Sequence, residues 1–146
     1  MPTAPKLIGA LLLFGVGWGA ALGAVATLPD GTQATHLPLS VALIGCWQGW
    51  SVLGRHAGSG MRAGVAHGLR AAIQMVVIAL AAFALREMFL RSTDLRYGGA
   101  GDATVATLDL FLEYGLQSLT VPIWGVVIVG GAAAGAITEW SARRWR

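Results

Sequence analysis

Leu7-Ile8-Gly9-Ala10-Leu11-Leu12-Leu13-Phe14-Gly15-Val16-Gly17-Trp18-Gly19-Ala20-Ala21-Leu22-Gly23-Ala24-Val25-Ala26-Thr27-Leu28 runs for 22 residues without a charged side chain. As a helix rising about 1.5 Å per residue it reaches roughly 33 Å, enough to cross a hydrocarbon core of about 30 Å. Pro29, Asp30, Gly31 and Thr32 follow, a turn-forming cluster that stops the helix. Lys6, the apolar core and Ala24-Val25-Ala26 also fit a signal peptide with an Ala-x-Ala cleavage site. The run exceeds the usual apolar region of about 7–15 residues, which favours retention over cleavage.

Three more runs share this character. Residues 37–54 make an uncharged stretch of about 27 Å as a helix. The third is shorter, with only residues 71–85 between Arg70 and Arg86. Both arginines can snorkel to an interface, and Met88, Phe89 and Leu90 extend the apolar character, so a crossing over 71–90 is expected. The fourth is 121–140, with Pro122 acceptable in its first turn. Composition agrees: 55% of the 146 residues are hydrophobic and 12% charged, where soluble domains carry about 25% charged. Twenty-one glycines and six tryptophans suit a membrane bundle with interfacial aromatics.

The formal charge of +3 is clustered, which argues against nucleic acid as a partner. Lys6, Arg55, Arg62, Arg70, Arg143, Arg144 and Arg146 fall on one side of the four crossings, and Arg86, Arg91 and Arg96 on the other. Seven against three places both termini in the cytoplasm. Trp50 and Trp140 then lie at the inner interface and Trp124 at the outer, while Trp18, near the middle of its run, needs a packing explanation. Between the third and fourth runs, residues 102–119 put Asp102, Asp109, Glu113 and Gln117 on one narrow helical face, with Val105, Leu108, Phe111, Leu112, Leu116 and Leu119 elsewhere. Such a helix is expected to lie along the membrane surface. The fold class expected is therefore an all-α integral membrane protein, four transmembrane helices plus one amphipathic interfacial helix, in a single domain.

Glycines recur four apart: Gly15, Gly19 and Gly23, then Gly45 and Gly49, then Gly131 and Gly135. Each set returns to nearly one helix face, where close backbone approach supplies the dispersion contacts that hold helices together in lipid. Gly60, Gly64 and Gly68 carry the same spacing into the basic connection and hint that the third helix begins there.

The basic connection gathers Arg55, His56, Arg62, His67 and Arg70, donors for an oxyanion or for anionic lipid head groups, although topology alone accounts for the charge. His56 and His67, eleven apart, would share one face of a continuous helix. They could not reach opposite sides of a haem iron, so no haem, and no other cofactor, is expected. Asp102, Asp109 and Glu113 form the acidic face, either the wet side of the interfacial helix or carboxylates for a hard cation. Arg86 and Glu87 could pair with it, whereas Asp30, Asp94 and Glu139 read as boundary residues. Cys46 stands alone, so neither a disulfide nor a multi-cysteine metal cage is available. With no phosphate loop, nucleophile elbow or paired intramembrane carboxylates, no catalytic residue and no enzyme are expected.

The opening Met1-Pro2-Thr3-Ala4-Pro5-Lys6-Leu7, the closing Glu139-Trp140-Ser141-Ala142-Arg143-Arg144-Trp145-Arg146, Pro29-Asp30-Gly31-Thr32-Gln33, Gly54-Arg55-His56-Ala57-Gly58 and Leu112-Glu113-Tyr114-Gly115 together resemble the TrgA family of small bacterial membrane proteins. The pieces span the chain in the family's order. The resemblance implies an inner-membrane protein associated with tellurite resistance and carries over no catalytic residue. Two roles follow: a protein that handles the oxyanion at the membrane, or an accessory subunit that packs by its glycine faces against another copy or a larger respiratory or transport complex.

Overall fold

The computed structural model describes residues 3–26, 36–93 and 100–144, with the side chains of 3, 91–93, 100, 102 and 103 outside that description. The elements are α1 (Thr3–Val25), α2 (Leu37–Gln48), a π-helical turn (Gly49–Leu53), the short α3 (Gly54–His56), α4 (Met61–Thr93), α5 (Ala100–Ser118) and α6 (Val121–Arg144). Among the described residues four helical stretches are long and apolar enough to cross a membrane: Ala4–Val25, Leu37–His56, Met61–Leu90 and Val121–Arg144. Proline stands in the first turn of three of these helices, Pro5, Pro38 and Pro122, where its missing amide costs nothing.

Alternation of direction follows from which backbones meet. Gly9 lies against Gly49 and Gly17 against Val41 and Ala42, so α1 and α2 are antiparallel. Gly64 meets Gly135 and Gly68 meets Gly131, so α4 and α6 are antiparallel. Val16 meets Gly130 and Gly23 meets Ile123, so α6 also runs against α1. With α2 beside α4 to close the ring, the result is an up-down-up-down bundle in which α1 and α4 stand diagonally.

Its core is made of small residues and few large ones. Leu13, Met75 and Val127 have no exposed surface, and Ala20, Ala42, Ala71, Ala72 and Ala134 surround them. The Met75 thioether sits where a Cβ on Gly17 or Gly45 would go, so one flexible side chain seals the gap between α1, α2 and α4. Leucine, valine and tryptophan cover the outside instead, with Leu11 69%, Trp47 60% and Val129 69% exposed. That inversion suits a bundle solvated by hydrocarbon, because lipid gives large apolar side chains no reason to turn inward. Trp18 belongs to this outer layer, stacked on Phe14 one turn earlier at 6.2 Å between ring centroids.

The close approaches use Gly45, Gly49, Gly131 and Gly135, as spacing suggests, but different glycines on α1. A Cβ at Gly45 would strike the Leu13 carbonyl, one at Gly49 the Gly9 carbonyl, one at Gly68 the Gly131 carbonyl and one at Gly135 the Gly64 carbonyl. A Cβ at Gly131 would lie 2.7 Å from the Ala72 methyl. Gly19 and Gly23 make ordinary contacts, 3.5 Å to Val126 and 3.4 Å to Ile123, and Gly15 meets nothing within 4 Å. Packing at Gly15 is therefore corrected: the α1 stripe that touches α2 is Gly9, Leu13 and Gly17, two residues out of phase with it. The π turn has its own part in this interface. The Gly54 amide donates to the Gly49 carbonyl, five residues back, so both glycines face α1, at Gly9 and at Lys6.

The helix α4 begins at Met61, ten residues before the uncharged stretch, because Gly64 and Gly68 dock on α6 even though Arg62 and Arg70 flank them. The helix α5 turns Leu110 and half of Tyr114 inward, mainly against α4. Val105, Leu108, Leu112 and Leu116 form an exposed apolar ridge with Asp109 and Glu113 exposed beside it. Only Leu119 and Thr120 join α5 to α6, and the two helices do not pack along each other.

Candidate functional site

Chemistry concentrates at the end of the bundle where α3 turns into α4. Helix geometry stops at Ala57, whose ψ of 129° is extended. Gly58 and Gly60 then take φ of 99° and 114°, a region that side-chain-bearing residues avoid. Alternate amides of this turn consequently point one way, and Glu139 from α6 receives them. Its Oε2 accepts from the Gly58 amide at 2.7 Å and its Oε1 from the Gly60 amide at 2.8 Å. Arg143, one turn on, brings its Nε to 3.4 Å from Oε1. The Gly60 carbonyl accepts the Gly64 amide, so the carboxylate also caps the N-terminus of α4, where the helix dipole favours an anion.

Glu139 is 1% exposed and was expected as a mere boundary residue; it is instead the fastener between the turn and α6. The missed signal lay in its register. Gly131, Gly135 and Glu139 are four apart, so the carboxylate continues the stripe that docks on α4. Gly64 allows this, since a Cβ there would come within 2.8 Å of the Glu139 Cβ.

Around the fastener the basic residues form an exposed surface rather than a joined cluster. Arg55, Arg62 and Arg70 are all exposed. His56 and His67 are brought together, their rings stacked at 4.2 Å and 23°, but across the turn and not along one continuous helix as expected. His56 Nδ1 lies 2.8 Å from the Val52 carbonyl, so that nitrogen carries a proton and donates it. Lys6 Nζ stands 6.0 Å from the Trp50 ring and Arg144 Cζ 5.3 Å from the Trp140 ring, cations paired with aromatics as at a membrane interface. The turn's two convergent amides would suit an external oxyanion, but Glu139 already occupies them. An anion from outside would meet the side chains of this surface, Arg55, Arg62 and Arg70 among them, rather than those amides.

At the opposite end Asp109 and Glu113 are exposed one turn apart on α5, and the Asp102 side chain lies outside the described residues. Arg86 forms no ion pair with them, and no group of three potential metal ligands occurs among the described residues. Cys46 is free and half-buried. Arg96, Asp30 and Asp94 lie outside the described residues. The chain matches no protein-family model, no curated protein and no solved structure.

Proposed function

We propose that this chain is an accessory protein of the bacterial inner membrane, with both termini in the cytoplasm, and that it contributes to tellurite resistance without carrying the oxyanion across. One observation carries the reading. Among the described residues the buried polar residues are Gln48, Thr138, Glu139 and Ser141, all towards the basic end, and the other buried polar side-chain atoms, Thr120 Oγ1 and Trp124 Nε1, lie at the opposite end where α6 begins, so the stretch between is glycine and aliphatic. A carrier needs polar groups at membrane depth to replace an anion's hydration, and a buried charge without them is costly. Tight backbone contacts along α1 with α2 and α4 with α6 close those two seams.

Orientation rests on the basic end, which holds Lys6, Arg55, Arg62, Arg70, Arg143 and Arg144. An interfacial α5 is supported by the topology of its neighbours. Thr93 closes α4 and Val121 opens α6 at the same end of the bundle, and α5, about 28 Å long, begins and ends within a few residues of them. A helix tied at both ends to one face of the membrane runs along it. A deletion strain challenged with tellurite, with uptake measured alongside, tests the role: the expected result is reduced survival at normal uptake. Uptake that falls with the deletion would contradict it in favour of transport. Survival unaffected by Arg62→Gln with Arg70→Gln, at normal insertion, would remove the basic surface from the role.

A further inference from the structure

Between the outward ends of α1, α2 and α4, beneath α5, lies a half-open cavity of about 340 Å³. Its walls are small or apolar, with Ala20, Ala24 and Val41 facing Val76, Ala79 and Phe83. Its rim is polar: His36 and Ser40 from α2, Arg86 and Glu87 from α4, and Gln117 from α5. From these we infer a binding site for one phospholipid of the leaflet at that end, an acyl chain lying between the helices and the phosphate held by Arg86.

Three features select that occupant. Along α4 the cavity runs from Val76 to Glu87, about 16 Å as a helix, which is one leaflet's share of a hydrocarbon core of about 30 Å. Ala20, Ala21, Ala24 and Ala79 leave space between the walls without offering a polar partner, whereas the polar lining comes from the outer turns of α2 and α4 and from Tyr114, Gln117 and Ser118 of α5, so an aliphatic chain suits the space between the alanines. At the mouth Arg86 is exposed and has no ion pair among the described residues, while Glu87 has a partner other than Arg86. A cation at the head-group level above an apolar slot calls for an anion on an aliphatic tail. The Gln117 amide and the His36 ring stand on the same rim as further donors. The volume lies in the range of small-molecule sites, about 300–1,000 Å³.

The test uses delipidated full-length protein in a mild non-ionic detergent, with native mass spectrometry reading occupancy. Phosphatidylglycerol is expected to remain bound at one per chain, and diacylglycerol with the same chains to bind at least about ten-fold more weakly, the effect of losing a charge-assisted contact. Glycerol phosphate without chains should show no retention. Arg86→Gln should weaken phosphatidylglycerol by about ten-fold, and Ala79→Phe, which fills the slot, should remove it. Equal retention of the two lipids by the unmodified protein would overturn the site, as would retention of glycerol phosphate alone or unchanged binding in both variants. The lipid comparison on unmodified protein decides the matter even where Ala79→Phe fails to fold. None of these outcomes bears on tellurite survival, so this inference and the accessory role fail separately.

Discussion

Glu139 shows how one carboxylate is kept buried at the end of a helix bundle. It lies level with Gly64, six residues or about 9 Å beyond Arg70 along α4, at the basic end of the bundle. Two amides and a guanidinium replace the water it gives up. Glu139→Gln offers one carbonyl oxygen for two amides and leaves Arg143 without a counter-ion. The expected loss is about 1–3 kcal/mol, the usual penalty for stranding a buried donor, read as a lower melting temperature in detergent. Gly60→Ala tests the other half of the fastener. A Cβ there meets no atom within 4 Å, so any loss is conformational, expected at about 1–2 kcal/mol from the same melting curves. The acid's importance was legible only through its four-residue offset from Gly135. Nothing in the one-dimensional pattern reveals that Gly58 and Gly60 turn both amides towards it.

At the level of helices, glycine spacing names candidates but not phase. Gly15, Gly19 and Gly23 look like one contact stripe in sequence, yet α1 meets α2 through Gly9 and Gly17, and Gly15 faces outward. The phase is set by the partner: Gly45 lies against the Leu13 carbonyl and Gly49 against the Gly9 carbonyl, so the α1 stripe that meets them is Gly9, Leu13 and Gly17. Gly45→Leu should therefore cost about 3 kcal/mol, the upper end for overpacking, while Gly15→Leu should leave the melting temperature unchanged. Equal effects would refute the assigned phase. The start of α4 was visible in the Gly60, Gly64 and Gly68 spacing, although Arg62 and Arg70 interrupt the apolar run on which span boundaries are judged. For α5 the pattern gave the helix and its polar face, and the structure adds an apolar ridge turned away from α4. Spin labels at Leu112 and Leu116 should then collide with dissolved oxygen, and labels at Asp109 and Glu113 with an aqueous nickel complex. Uniform water exposure of all four would remove α5 from the membrane surface.

Across the whole molecule, side-chain size is distributed inside out, and composition accounts for it. Few charges and many glycines leave too little polar surface for water and enough small residues for backbones to touch. The bundle uses both: alanine and glycine inside, leucine, valine and tryptophan outside. What composition could not supply is which helix lies beside which, because hydropathy is the same on every apolar face and only backbone contacts distinguish them. In the proposed topology four helices cross a bilayer, with the turn at residues 57–60 and the helix α5 on opposite sides. Single cysteines at Ser59 and Glu113, in a Cys46→Ser background, treated with a membrane-impermeant maleimide on intact cells, test it directly. Labelling of the Glu113 position alone, with Ser59 reacting only after permeabilisation, is the predicted result; labelling of both positions on intact cells, or of neither, would contradict it.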